Sequence, residues 1–444
     1  MPSTPNSPTP ADARAPDGWR WAPAWVLAFV ALWPTPGIAE GVLVLGALAA
    51  IVRLLASRFR AGSQLLSHEA WALTSVLFLA YWLPELVSAF DAVDRARAFT
   101  EAAKDLRYLP FLWLVAAAVA NPAGRRTTFG GLAVIASVWT ADALLQALVG
   151  HSPMFAALEQ LKLSISGRPL CTPEQVQDAS RLSGVLGPCN LKLGQVLASL
   201  SPFVLYLGAR RLGAGGWLLA AAAVGVVVVL TGTRAAWLTY AVALLCSGWR
   251  VLGWQRLIGV FAFGALVLAV LAAVSTPLRE RVERTTQGVS AERLDLDRAL
   301  AGRTRIWGAA VCMGGAHPFN GVGARGFRDA FAACDPHPQE APAWGDGPAL
   351  HAHQLVLEVL SETGGFGVLM WLAGAALAWR AWRFASPEAR ERARPAMLAL
   401  AVTVFPLNTH LAFYSTFWGG LTLMLAALYA GSLLARRSGD GEPR

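Results

Sequence analysis

Arg234 stands in the segment TGTRAAW, at the tight turn between two long apolar runs. A charge beside lipid is costly unless it is paired or put to use. Downstream, Arg303 and Arg305 precede an apolar stretch that closes on the turn sequence HPFNGVG, residues 317–323. Upstream, in RLSGVLGPCNLKLG, Arg181 and Lys192 flank the start of another apolar run, with Asn190 between them. Guanidinium forks match phosphate oxygens bidentately, so arginines gathered at the rim of a lipid-facing protein suggest a diphosphate. A charged helix face gives the same pattern. The segment HAHQLVLEVLSETGGFG then brings His353 and Gln354 to the start of a span that contains Glu358 and Glu362. A histidine there can serve as a general base near neutral pH. The His-x-His spacing of residues 351–353 lacks a third ligand nearby, so no metal and no other cofactor is expected.

These residues need a scaffold, and the composition says which. Of 444 residues, 55% are hydrophobic and only 15% are charged, against about 25% charged in an ordinary soluble domain. Spanning the hydrocarbon core takes roughly 20 apolar residues as a helix. Runs of that kind recur near residues 19–34, 37–56, 69–90, 107–121, 129–150, 187–208, 214–231, 235–250, 256–275, 362–382, 395–411 and 415–434. The expected fold is therefore an all-α integral membrane protein of about 12 transmembrane helices. The net charge of +9 rests on arginine, with only Lys104, Lys162 and Lys192 as lysines. No soluble basic domain is present to carry a nucleic-acid role.

Orientation follows from the short loops. Arg53, Arg58 and Arg60 lie in one, Arg125 and Arg126 in another, then Arg210 and Arg211, Arg250 and Arg256, and Arg380 to Arg394. Arg436 and Arg437 follow in the tail. These alternate strictly with loops poor in arginine, as the positive-inside rule requires, and put both termini in the cytoplasm. Residues 1–18 read as a disordered cytoplasmic tail, 19–275 as transmembrane helices 1–9, and 276–354 as a large periplasmic segment. Residues 355–434 carry helices 10–12, and 435–444 a second cytoplasmic tail. Within the large segment, Leu294, Leu296, Leu300, Ile306 and Trp307 fall on a rough helical face. That helix either lies on the membrane surface or packs against the bundle. Cys171, Cys189, Cys312 and Cys334 all fall in outer segments, where disulfides are permitted, but their connectivity is not readable and unpaired, buried thiols fit the sequence equally well.

In this order and at these separations, the polar elements resemble the O-antigen ligase and polymerase superfamily. The residues that carry the resemblance are the Ser/Thr-x-x-Arg hairpin from Thr231 to Arg234 and the group Gly302, Arg303, Trp307, Pro318, Gly321 and Gly323. A histidine step then opens a helix with Glu-x-Gly-x-x-Gly, and Arg181, Gly184 and Asn190 match an upstream Arg-x-x-Gly stretch. Gln354 departs from the asparagine usual beside the histidine. It keeps the amide but is one methylene longer.

The resemblance implies a GT-C-like membrane glycosyltransferase of the bacterial inner membrane, metal-independent and inverting, working at the periplasmic face. Its donor would be an undecaprenyl-diphosphate-linked glycan, and its acceptor in the ligase branch the lipid A-core, with membrane lipids around it. His353 would be the general base. Arg234 and Arg303 would hold the donor diphosphate, with Arg181, Arg305 and Lys192 as further candidates and Asn190, Gln354 and Glu358 in support. The ligase branch is preferred because the large outer segment leads from the arginine motif to His353. The rivals are the polymerase and the protein O-oligosaccharyltransferase of the same superfamily and, from another class, a transporter. The absence of an internal repeat and the clustering of polar residues at the outer surface speak against the last.

Overall fold

In the computed structural model, described over residues 19–59, 65–176, 181–274, 279, 303–340, 347–409 and 412–435, the chain folds into helices and no strand is formed among these residues. In chain order they are α1 (Ala22–Ala31), α2 (Pro36–Phe59), α3 (His68–Ala89), α4 (Arg95–Asp105), α5 (Tyr108–Ala118), α6 (Pro122–Val149), α7 (Pro153–Ser166), α8 (Leu193–Leu230), α9 (Arg234–Leu252) and α10 (Trp254–Val274). The rest are α11 (Arg303–Ala316), α12 (Phe327–Cys334), α13 (Leu355–Phe384), α14 (Pro387–Thr403) and α15 (Thr416–Leu433). Several starts are written in the sequence. Ser67, Asn121, Ser152, Ser386 and Ser415 each accept a hydrogen bond from a backbone N–H in the first turn of the helix they cap.

Among the described residues, seven helices are long and apolar enough to cross a membrane: α2, α3, α6, α8, α9, α13 and α15. The expected spans near 19–34 and 107–121 are shorter, with α1 covering 10 residues and α5 covering 11. Those expected at 187–208 and 214–231 form one run, α8, broken where Leu212 and Gly213 leave helical geometry. The span expected at 395–411 begins earlier and ends at Thr403, and Pro406 to Thr409 form an irregular segment. The expected tail 1–18, and the leucines at 294, 296 and 300, lie outside the described residues.

At the centre sits α15, buried around nearly its whole circumference. It packs against α3, α5 and α14. A helix apolar on every side needs such a surround. Close approach is built in at Gly431, where an added Cβ would lie 2.3 Å from the carbonyl oxygen of Ala116. One end of the bundle gathers the loop arginines. There Arg392 donates to the carbonyls of Ser432, Leu433 and Ala435, while Ser67 Oγ donates to that of Leu434. The starts of α8, α9, α13 and α15 meet at the opposite end.

That opposite end is reinforced by two disulfides, Cys171–Cys189 and Cys312–Cys334. The second ties α11 to α12. Ile306, Ala309, Ala310 and Met313 of α11 are buried with Phe327, Phe331, Ala349 and Ala352, and α11 also packs on α13. Of the two readings of the helix that contains Ile306, the packed one holds for residues 303–316.

Candidate functional site

The Thr231–Arg234 hairpin is fixed from beneath. Gly232 takes the left-handed backbone that the turn demands (φ 66°). Arg181 donates through Nε to the Thr231 carbonyl at 2.9 Å and through its terminal nitrogen to Thr233 Oγ1 at 2.5 Å. Gly194 lets α8 approach, since a Cβ there would lie 2.2 Å from Thr231 Oγ1. The guanidinium of Arg181 is thus engaged in holding the hairpin that presents Arg234.

Arg303 opens α11. Its Nη1 donates to Thr409 Oγ1 at 3.1 Å, while its buried Nε has no hydrogen-bond partner among the described residues. Burial pushes this guanidinium's pKa down, and the charge of Arg234 pushes it further the same way. Arg234 and Arg303 therefore lie within electrostatic reach of one another at the site end. Arg305, two residues on, points elsewhere. It forks onto Asp335 at 2.7 and 2.6 Å and reaches the His337 carbonyl at 2.8 Å, and it holds the Asp335 carboxyl below the usual range. A guanidinium matched to a carboxylate in this way has its fork engaged, here by Asp335.

Lys192 caps the start of α8, with Nζ 4.6 Å from the ring centre of Phe417. Burial lowers its pKa, and the aromatic face offers a cation a weak attraction. Asn190 Oδ1, just before it, is buried without a hydrogen-bond partner among the described residues.

The histidine arrives by a different route. Pro318–Gly323 and the break in α13 at Gly364 interlock through backbone bonds: Val322 N to Ser361 O at 2.9 Å, Gly323 N to Glu362 O at 3.0 Å, and Gly365 N to Pro318 O at 2.8 Å. Gly321 (φ 67°) and Gly364 (φ 65°) both need left-handed backbone, and a Cβ on either would strike main-chain atoms within 2.4 Å. The glycines of the two motifs are therefore one joint, which sets α13 against the turn that follows α11. At the head of α13, Gln354 caps the helix by accepting from Leu357 N at 2.6 Å and donates through Nε2 to the Pro406 carbonyl at 2.9 Å. The extra methylene of glutamine is consistent with reaching both partners.

His353 sits just before that cap, 7% exposed, in left-handed backbone (φ 51°). Leu355 N donates to the Asn408 carbonyl at 3.4 Å. The segment Pro406–Thr409 thus touches the His353 turn through Pro406 and Asn408, and Arg303 through Thr409. Sequence reasoning missed this segment because apolar residues surround it. The run Pro406-Leu-Asn-Thr, turn-forming and polar inside an expected span, was the signal. Glu358, one turn into α13, is 2% exposed and lies 3.5 Å from His351 Nδ1.

Residues 218–372 match the family described as O-antigen ligase. The match runs from within α8 to within α13 and contains Arg234, Arg303, His353 and Glu358, whereas Arg181, Asn190 and Lys192 precede it. No curated protein matches the chain. The chain thus resembles the O-antigen ligase superfamily, a glycosyltransferase-like group of membrane enzymes, and this stretch carries the likeness.

Proposed function

We propose that the chain is an O-antigen ligase, moving O-antigen polysaccharide from undecaprenyl diphosphate to the lipid A-core. The observation that carries this reading is the pair Arg234 and Arg303, which lie within electrostatic reach of one another. Two partly buried guanidiniums repel one another, and Arg303 keeps a buried Nε donor with no hydrogen-bond partner among the described residues. A diphosphate would relieve the repulsion and use the donor. As the anomeric bond breaks, negative charge grows on the leaving diphosphate, and fixed guanidiniums stabilise it without a metal. His353, joined to Arg303 through the Pro406–Thr409 segment, takes the proton of the acceptor hydroxyl. A single displacement with inversion at the sugar follows.

In this reading the bundle is GT-C-like with about 12 membrane crossings, counting α1, α5, α10, α14 and the two halves of α8. It lies in the inner membrane with both termini cytoplasmic. The disulfides at the site end support an oxidising, periplasmic side for the chemistry. Purified protein, lipid-linked polysaccharide and lipid A-core test the reading directly. Transfer to the core that persists after chelation is expected. Extension of the donor glycan instead would mark a polymerase, transfer to a protein hydroxyl an oligosaccharyltransferase, and a strict divalent-metal requirement would overturn the arginine mechanism.

A further inference from the structure

We propose that His351 positions His353 and that the charge of the nearby Glu358 carboxylate raises its basicity, an inference that rests on the glycosyl-transfer reading above. A histidine in left-handed backbone is strained relative to glycine, so something must hold it there. The backbone N–H of His353 donates to His351 Nδ1 at 3.2 Å, and the two imidazole rings lie 3.9 Å apart, centre to centre. The same Nδ1 is 3.5 Å from Glu358 Oε2, an oxygen with no hydrogen-bond partner among the described residues. A buried carboxylate left so lightly bonded is expensive unless a charge forms nearby.

That charge is supplied by the reaction. The acceptor O–H bond breaks and an N–H bond forms on the His353 ring. The hydroxyl oxygen bonds to the anomeric carbon, and the sugar–oxygen bond to the diphosphate breaks with its electron pair on the diphosphate. His353 is then an imidazolium, with a carboxylate one ring beyond it, and it returns its proton to solvent. Among the described residues, the other ionisable groups facing this turn are few. Glu362 lies one turn deeper on α13, within electrostatic reach of Glu358, and Tyr414 comes from the segment before α15. Arg303 approaches from α11 through Thr409. None of these touches the His351 ring in the way Glu358 does.

The test is the pH dependence of transfer by the full-length protein, read as kcat and donor KM. Glu358→Gln keeps the shape and removes the charge. It should lower kcat roughly tenfold and move the acidic limb of the profile to lower pH by on the order of one unit, with donor KM unchanged. His351→Asn keeps an acceptor near the Nδ1 position and should retain more activity than His351→Leu, which cannot accept. An acidic limb for Glu358→Gln that superimposes on the parent's overturns the proposal. So does equal activity of the two His351 variants, a comparison that holds even if Glu358→Gln fails to insert. Failure of the parent protein itself to transfer a lipid-linked glycan would instead sink the functional reading.

Discussion

Arg303 opens α11 and Arg234 opens α9, and the two guanidiniums come close enough that the charge on one disfavours the charge on the other. Each is brought there by its own machinery. A hairpin clasped by Arg181 presents Arg234, and the bond to Thr409 holds Arg303. In the proposed function, this like-charged pair and the spare buried donor of Arg303 are where the donor diphosphate is held.

Replacing either arginine with lysine keeps the charge and loses the fork. Arg234→Lys and Arg303→Lys should each reduce transfer by about a hundredfold or more, as loss of a preorganised electrostatic donor does elsewhere. Protein levels in the membrane should be unchanged. Near-normal rates from Arg303→Lys would show that bidentate geometry is not needed.

The joint between Pro318–Gly323 and α13 should tolerate no side chain at its two crossing points. Gly321→Ala and Gly364→Ala combine left-handed backbone with a Cβ inside van der Waals distance of main-chain atoms. Both should lose folded protein, measured as monodisperse material in detergent. Gly315→Ala, which meets open space in α11, is the control and should fold normally.

Pairing Cys312 with Cys334 fixes α12 onto α11, the helix that carries Arg303. Cys312→Ser should destabilise the protein by about 2–4 kcal/mol. Reductant should cost the parent protein more than the variant, which has only Cys171–Cys189 left to lose, measured as thermal unfolding in detergent.

Asp105, the last residue of α4, has its pKa pushed up to about 7, chiefly by burial. A carboxyl raised in the fold favours the protonated form there. Stability is therefore greatest below the unfolded value and falls as pH rises towards 7, where the buried group ionises at a penalty. Asp105→Asn should stabilise the fold at pH 8 by on the order of 1 kcal/mol or more, read as a raised unfolding temperature, with the gain shrinking towards pH 4. A gain independent of pH would mean that the carboxylate is not the source.

What the sequence discloses here depends on whether a residue is isolated by its surroundings. Arg234 was legible because a charge between two apolar runs has few reasons to exist. His353 and the glycines of the joint were legible through their motif spacing. By contrast, Arg181, Arg303 and Arg305 look alike in the sequence, and only their partners separate them: a hairpin carbonyl, a threonine hydroxyl and the Asp335 carboxylate. Hydropathy placed most of the helices and set a boundary between the expected spans 187–208 and 214–231, where Leu212 and Gly213 do leave helical geometry, but it read through the irregular Pro406–Thr409 segment, which apolar residues flank. Disulfide pairing was beyond reach because it depends on how α11 meets α12, a matter of packing rather than of pattern.

The arginines and the histidine are assigned different jobs, and binding of the donor separates them. Affinity of the purified protein for undecaprenyl diphosphate should fall sharply in Arg303→Ala and in Arg234→Ala. It should stay near the parent value in His353→Ala, a variant that nonetheless transfers no glycan. Unchanged affinity in both arginine variants, or transfer by His353→Ala at close to the parent rate, would contradict the account.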